Sequence, residues 1–278
     1  MRKIKYPLIV SDFDGTLVND DGTIAENNKT AINEYIASGG TFAISTGRMP
    51  AGILPRAREL GLKGILCCCQ GANIMDIESG EMLLEGRISP ETTYAICKKM
   101  EELNLHIHVY DSWEFYCNMD DEPLKLYEKA VRTKATLVLD KPISEFVKEN
   151  KLGAYKVLAM VEPKDNARVL ATLAAENFEG CDTTKSAAFL VEVINNQYSK
   201  GTAVAYLAER YGVDLQNVIA IGDQTNDQPM IEKAGLGIAV KNADEGLKSL
   251  ADCVFDYTNE EGAVGKIIKR YAYEEYNG

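Results

Sequence analysis

Short apolar runs alternate with helix-like patterns along the first part of the chain. Residues 8–11, 41–45 and 64–69 are such runs, and each one closes on a turn that contains glycine or polar residues. Between them, apolar residues recur at helical spacing within 26–38 and 50–60. This order of strand, helix and strand predicts a parallel sheet with crossover helices.

Three polar segments are typical of helix starts. Residues 23–26 (Thr-Ile-Ala-Glu) and 242–245 (Asn-Ala-Asp-Glu) have the spacing of a capping box. Ser199 precedes a stretch with apolar residues on one helical face, so it is predicted to be an N-cap.

The pattern changes near residue 86 and changes back near residue 195. Between these points, apolar and polar residues alternate as in short strands, for example at 106–110 and 113–118. Other stretches have helical periodicity, such as 91–103 and 164–177. Paired strands backed by helices indicate a separate α+β module. From residue 199 the first pattern returns. The predicted fold is therefore an α/β, Rossmann-like parallel-sheet core of residues 1–86 and 195–278, with an inserted α+β domain at 87–194.

Composition narrows the classes of partner. The net charge of −12 argues against a nucleic-acid or anionic-membrane surface. It leaves a small phosphorylated substrate possible, because a metal ion and one lysine invert the local field. No apolar run reaches the length of a membrane span or of a signal-peptide core. Seven cysteines without paired spacing predict free thiols and a cytoplasmic protein.

Polar side chains follow the predicted core strands or begin the helices beside them. They are Asp12 and Asp14, Thr46, Lys200, and Asp223 with Asn226 and Asp227. Because the carboxyl ends of parallel strands meet at one edge of a sheet, we expect these groups to lie together there. Taken alone, Asp14-Gly15 is equally typical of a solvated turn. It is the ordered set that indicates a site.

The donor chemistry of this set predicts Mg²⁺. Several carboxylates gathered with one lysine and one hydroxyl suit a hard cation that prefers oxygen ligands. The only histidines, His106 and His108, lie in the predicted insertion, and no His or Cys cluster is expected to compete for a metal. The pattern therefore argues against zinc.

The four segments resemble the ordered motifs of the haloacid dehalogenase (HAD) superfamily of phosphatases. They are Asp12-Phe13-Asp14-Gly15-Thr16, Thr46-Gly47-Arg48, Lys200-Gly201, and residues 222–230, Gly-Asp-Gln-Thr-Asn-Asp-Gln-Pro-Met. The insertion is similar in position and pattern to the large α/β cap of the Cof-type branch. This resemblance implies a phosphomonoester hydrolase whose core binds phosphate and whose cap recognises the rest of a small phosphorylated metabolite, sugar phosphates first.

The resemblance also implies roles for two carboxylates in the chemistry. Asp12 would be the nucleophile that forms an aspartyl-phosphate. Asp14 would be the acid that protonates the leaving alcohol and then the base that activates water. For the metal, it implies Mg²⁺ held by Asp12, the backbone carbonyl of Asp14 and Asp223, with Asp227 supporting.

The remaining motif residues would bind the phosphoryl group. Thr46 would donate a hydrogen bond to a phosphoryl oxygen, with Gly47 beside it, and Lys200 would pair with both Asp12 and the phosphoryl oxygens. Asn226, at a helix start, would bind the phosphoryl group or orient its neighbours. Arg48 would contact substrate or the hinge of the cap, although a surface arginine fits as well.

Other interpretations stay open at this point. Gln70 stands where similar proteins have asparagine and is given no role. Asn242 fits an N-cap better than a phosphate ligand. A phosphomutase of the same superfamily is an alternative to the phosphatase, and a phosphometabolite-binding regulator is a second one. The regulator is disfavoured by the presence of Asp12 and Lys200.

Overall fold

The computed structural model of the protein describes residues 3–131 and 133–274. Its strands are β1 Leu8–Asp12, β2 Thr41–Ser45, β3 Ile65–Cys68, β4 Asn73–Asp76, β5 Met82–Glu85, β6 His106–Tyr110, β7 Phe115–Cys117, β8 Ala135–Leu137, β9 Lys156–Met160, β10 Cys181–Ala187, β11 Leu190–Asn195, β12 Val218–Gly222, β13 Leu236–Ala239 and β14 Cys253–Val254. Its α-helices are α1 Glu26–Ala37, α2 Pro50–Glu59, α3 Pro90–Glu102, α4 Glu122–Val131, α5 Ile143–Glu149, α6 Asn166–Ala175, α7 Lys200–Tyr211, α8 Gln228–Lys233, α9 Glu245–Leu250 and α10 Ala263–Tyr271. Among these helices, none combines the length and the apolar character that crossing a bilayer requires.

The first of two compact units comprises Met1–Gly47, Leu54–Leu84 and Tyr198–Gly278. Its sheet has eight strands in the order β14-β13-β12-β1-β2-β3-β4-β5. The strands from β14 to β3 are mutually parallel, and β4 runs antiparallel to β3. The predicted α/β class with a parallel-sheet core is confirmed.

The register of the central strands brings the candidate residues to one edge of this sheet. All five residues of β1 are buried, as expected for a strand with neighbours on both sides. In the pairing of β1 with β2, Asp12 lies beside Ser45, and in the pairing with β12, Ser11 lies beside Ile221. The chain therefore leaves β1, β2 and β12 at the same carboxyl edge.

The second compact unit comprises Arg48–Ile53 and Glu85–Gln197. Its sheet has six strands in the order β10-β11-β9-β6-β7-β8, antiparallel except for the pair β7 and β8. Alternate residues of the central strands, such as Ile107, Val157 and Val191, form a core with apolar residues of α3, α5 and α6. The grouping of Arg48–Ile53 with this unit was not predicted.

Two helix starts differ from the sequence prediction. The N-cap position of α1 is Ala25, without a side-chain cap, and the Thr23 hydroxyl instead donates to Asp21. At α9 the N-cap is Asp244, whose carboxylate accepts from Leu247 N. Both predicted capping boxes are thus wrong. Ser199 caps α7 as predicted, and Thr202 completes the capping box.

Candidate functional site

Three carboxylates converge at the carboxyl edge of the first unit's sheet. Asp12 ends β1, Asp223 follows β12, and Asp227 lies just before α8. One oxygen of each lies within 4.8 Å of the others, and all three side chains are buried. Buried carboxylates at this spacing repel each other unless cations compensate their charge.

Lys200 supplies part of that compensation. It is the first residue of α7, and its side chain is almost entirely buried. The ammonium group donates to Asp12, and to Asp227 at 2.5 Å. Burial alone would lower the pKa of this ammonium, but the two carboxylates outweigh it and hold the pKa above the ordinary lysine value. Lys200 is therefore a fixed positive charge in the cluster.

One lysine does not neutralise three carboxylates. Burial raises the pKa of Asp12 well above the ordinary value, against the opposing effect of Lys200. Burial likewise raises the pKa of Asp223 to about 6. Buried oxygen donors with uncompensated negative charge are the environment that a divalent hard cation requires. The donor set fits such an ion.

Asp227 lies deeper in the cluster than its predicted supporting role suggested. Besides the bond from Lys200, its second carboxylate oxygen accepts from the backbone N–H groups of Asp223 and Gln224, at 2.9 and 3.1 Å. The side chain is completely buried. Asp227 thus holds both Lys200 and the turn that carries Asp223.

The turn after β1 is fitted closely to Asp223. Thr16 Oγ1 donates to Asp223 Oδ1 at 2.7 Å. Gly15 has φ +80, and a Cβ at this position would lie 2.5 Å from Asp223 Oδ2. Only glycine combines this backbone conformation with so close an approach. Asn242 Nδ2 donates to Gly15 O at 2.7 Å, so Asn242 secures this turn and is not the predicted N-cap.

Gln70, to which the sequence assigned no role, lies among the predicted phosphate-binding residues. Its backbone N–H donates to Thr46 O at 3.1 Å, and its side-chain oxygen accepts from Asn226 Nδ2 at 3.4 Å. A Cβ on Gly47 would lie 2.7 Å from Nε2 of the Gln70 side chain. Gln70 has φ 60, a conformation that costs energy outside glycine. A signal for this was available: a polar residue directly after a core strand, followed by Gly71.

Three of the predicted site residues are not members of the carboxylate cluster. The Asp14 side chain is exposed and is not one of the three clustered carboxylates. Thr46 is buried directly after β2, next to the strand position that pairs with Asp12. Arg48 is half-buried and belongs to the second compact unit.

The expectation that no His or Cys cluster would compete for a metal is contradicted in the second unit. In the second unit, His106, His108 and Cys117 bring their ligand atoms within 4.8 Å of one another. The signal was a His-x-His pattern on one predicted strand, which places both rings on the same face. What could not be predicted was the register that sets Cys117 directly opposite His108.

Known proteins resemble the chain over nearly its whole length. Residues 9–268 match the family described as haloacid dehalogenase-like hydrolase. The phosphatase YwpJ of Bacillus subtilis is 29% identical, over 94% of this chain and 98% of its own length. A second B. subtilis protein, the 5-amino-6-(5-phospho-D-ribitylamino)uracil phosphatase YcsE, is 29% identical over 96% of each chain.

A solved structure shows the same fold. The crystal structure of TM0651 from Thermotoga maritima superposes with a TM-score of 0.87 at 27% identity, covering 97% of this chain and 98% of that one. The fold and the full-length sequence similarity agree. This chain therefore belongs to the haloacid dehalogenase-like hydrolase family.

Proposed function

We propose that the protein is a Mg²⁺-dependent phosphomonoester hydrolase that acts through an aspartyl-phosphate on Asp12. The observation that carries the proposal is the buried pairing of Asp12 with Lys200 at the end of β1, inside a cluster of carboxylates. Phosphoryl transfer depends mainly on positioning and on neutralising charge, and this cluster supplies both. The named phosphatases among its relatives support the same class of reaction.

Asp12 would attack the phosphorus atom of the substrate. A bond forms between an Asp12 carboxylate oxygen and phosphorus as the bond from phosphorus to the ester oxygen breaks, and Asp14 transfers its proton to that leaving oxygen. Asp14 then removes a proton from water, whose oxygen bonds to phosphorus and releases Asp12 and inorganic phosphate. The positively charged Lys200 would stabilise the negative charge on the phosphoryl oxygens throughout both steps.

The residues that would hold Mg²⁺ are Asp12, Asp223 and the backbone carbonyl of Asp14, with Asp227 supporting. When bound, the ion would neutralise charge on the phosphoryl oxygens. Thr46 would donate to a phosphoryl oxygen, and Gly47, Arg48 and Asn226 complete the set proposed to bind phosphate.

We further propose that the inserted domain selects the leaving group. The preferred class is sugar phosphates and similar small phosphometabolites. The relative YcsE is named for a substrate with a phosphorylated ribityl chain, which belongs to this chemical class. The seven free cysteines accord with the predicted cytoplasmic location.

Phosphate release from a panel of sugar phosphates, nucleotides and an aryl phosphate tests this function. Each compound is assayed with Mg²⁺ and with EDTA. Release that requires the metal and ranks sugar phosphates first supports the proposal. If no compound releases phosphate while isomeric sugar phosphates interconvert, the protein is a mutase and the hydrolase proposal fails.

Asp14→Asn should slow hydrolysis in a way that depends on the leaving group. For a sugar phosphate we expect kcat to fall about 10²–10⁴-fold, because the alkoxide leaves without a proton. An aryl phosphate, whose phenolate is a weaker base, should lose much less in the first step. Burst kinetics separate this step from hydrolysis of the intermediate. If the rate of the first step fell equally for both substrates, Asp14 would not be the acid that protonates the leaving group.

Mg²⁺ should stabilise the fold more above pH 6 than below it. Burial raises the pKa of Asp223 from its ordinary value of 3.8 to about 6 in the fold. Without metal, the folded protein retains a proton that the unfolded chain releases, so this group's contribution to stability is lost as pH rises from about 4 to 6. Mg²⁺ binds the ionised carboxylate and reverses that loss.

Unfolding temperatures measured across this pH range, with Mg²⁺ and with EDTA, check the prediction. Asp223→Asn should weaken the Mg²⁺ effect and flatten its dependence on pH. Asp214→Asn, a carboxylate that caps a short helix elsewhere in the first unit, is the matched control. A Mg²⁺ effect that is the same at pH 4.5 and 7.5 would contradict the assignment.

A further inference from the structure

The His–His–Cys cluster of the second unit plays no part in the proposed phosphatase. His106 and His108 lie two residues apart on β6, and Cys117 ends β7. His106 Nε2 lies 3.0 Å from Cys117 Sγ and 3.2 Å from His108 Nε2. Both rings and the thiol are buried. Three strong donors for transition metals thus converge in the interior of one unit.

The separations are close to those of a metal site. With metal bonds of about 2.0–2.1 Å to nitrogen and 2.3 Å to sulfur, tetrahedral coordination places two nitrogens about 3.3 Å apart, and nitrogen and sulfur about 3.6 Å apart. The nitrogen pair matches, and the Cys117 sulfur must move by about half an ångström. All three residues sit on paired strands of one sheet, so the scaffold holds them together without the ion.

Hydrogen bonds alone do not satisfy this arrangement. His106 Nδ1 lies 3.4 Å from an Asp121 carboxylate oxygen, which favours the proton on Nδ1 and leaves a lone pair on Nε2. That lone pair faces both Cys117 and His108. The Cys117 thiol donates to Met119 O at 3.2 Å, and His108 Nε2 is placed to donate to His106 Nε2, so the 3.0 Å contact of Cys117 Sγ with His106 Nε2 then holds no proton. His108 Nδ1, which has no hydrogen-bond partner among the described residues, would carry the ring proton when Nε2 binds an ion. A cation accepts the converging lone pairs together.

Charge and access also suit an ion. A Cys117 thiolate and the Asp121 carboxylate would balance a divalent cation. His106, Met119, Asp121 and Tyr127 line a cavity of about 650 Å³, which provides an entry path and room for a water ligand. The rings of Tyr110, Phe115 and Tyr127 surround His108 and keep that side dry. Nitrogen and sulfur donors exclude Mg²⁺ and Ca²⁺ as the preferred ions.

We propose that His106, His108 and Cys117 form a second metal site, selective for a borderline-soft divalent transition ion, with Zn²⁺ first. The ion would join β6 to β7 and, through Asp121, to the segment that begins α4 at Glu122. The site is separate from the carboxylate cluster and does not depend on the proposed phosphatase activity. The argument against zinc drawn from the sequence applies to the carboxylate cluster alone.

Cobalt binding to the chelator-treated full-length protein tests the proposal. Co²⁺ in a tetrahedral site with nitrogen and sulfur ligands gives intense visible bands and a thiolate charge-transfer band in the near ultraviolet. Carboxylates produce no thiolate band, so the readout distinguishes this site from the Mg²⁺ site. We expect one equivalent of Co²⁺ to bind with this signature and Zn²⁺ to displace it.

Variants locate the signal. Cys117→Ser should abolish the thiolate band, whereas Cys97→Ser, which changes another buried thiol of the same unit, should retain it. His106→Gln should weaken Co²⁺ binding strongly, and Asp121→Asn by about 10–100-fold. Asp12→Asn should leave the band unchanged. Absence of the band in the wild-type protein, or its persistence in Cys117→Ser, would overturn the proposal.

Discussion

Asp12→Asn is expected to reduce phosphatase turnover by at least about 10³-fold while the protein remains folded. The amide has nearly the shape of the carboxylate but does not form the acyl-phosphate bond, so no covalent intermediate can accumulate. The fold should tolerate the change, because the substitution removes one of three clustered negative charges, and burial together with the repulsion among these charges raises the pKa of Asp12. Phosphate release and thermal unfolding are measured on the same preparation.

The matched control is the same chemical change at an exposed carboxylate of the first unit. Asp21→Asn alters a residue whose carboxylate accepts hydrogen bonds from the neighbouring Thr23 in its loop, and it should retain turnover. Trapping adds a direct readout: after acid quenching, the wild-type protein should carry phosphate bound to the chain and Asp12→Asn should not. Substantial turnover in Asp12→Asn would eliminate the covalent mechanism even if the protein proved to be a phosphatase.

The architecture of the first unit could be predicted because its information is local. Each core strand is a short apolar run that ends at a polar or glycine-containing turn, and the order of elements selects a parallel sheet. Once the strands are parallel, Asp12, Thr46 and Asp223 must leave the sheet at one edge, whatever the details of packing. Lys200 joins them because Ser199 marks the start of its helix.

Residues whose roles depend on register or on backbone strain could not be predicted in the same way. Gln70 reaches Thr46 and Asn226 through a positive φ, which no pattern of apolar residues encodes. The polar edge strand β10 was missed because its Thr-Thr-Lys-Ser sequence lacks apolar alternation. Cys117 meets His108 through the pairing of two strands, and such partners are set by tertiary structure.

Charge balance links the predicted core residues to one another. Asp12 and Asp227 share a single ammonium group, and Asp223 is held by Thr16 and by backbone contacts of its turn. In the absence of metal, Lys200 is the cation that lies in direct contact with the carboxylate cluster among the residues that the structure describes. Stability and the proposed catalysis would therefore depend on the same side chain.

Lys200→Met should consequently reduce both the stability of the fold and the turnover. Methionine fills much of the same volume but leaves Asp12 and Asp227 buried without their partner, which costs about 3–5 kcal/mol in the free energy of unfolding. The loss should shrink at acidic pH, where Asp12, whose pKa is raised by burial, takes up a proton. Mg²⁺ should restore part of the lost stability by replacing the missing positive charge. Turnover should fall by at least about 10²-fold, because the negative charge on the phosphoryl group is no longer stabilised by the ammonium group.

Denaturant unfolding of a set of variants separates the two effects. Lys233→Met, at an exposed lysine of α8, should match the wild-type protein. In the double variant Lys200→Met/Asp227→Asn, removal of the second charge should recover part of the lost stability but none of the lost turnover. If Lys200→Met unfolds at the same denaturant concentration as wild type across pH 5 to 8, Lys200 does not compensate the carboxylates. Such a result would mean that the buried ammonium group can be removed, with no other cation replacing it, at no cost in the free energy of unfolding. The charge balance described for the site would then be wrong.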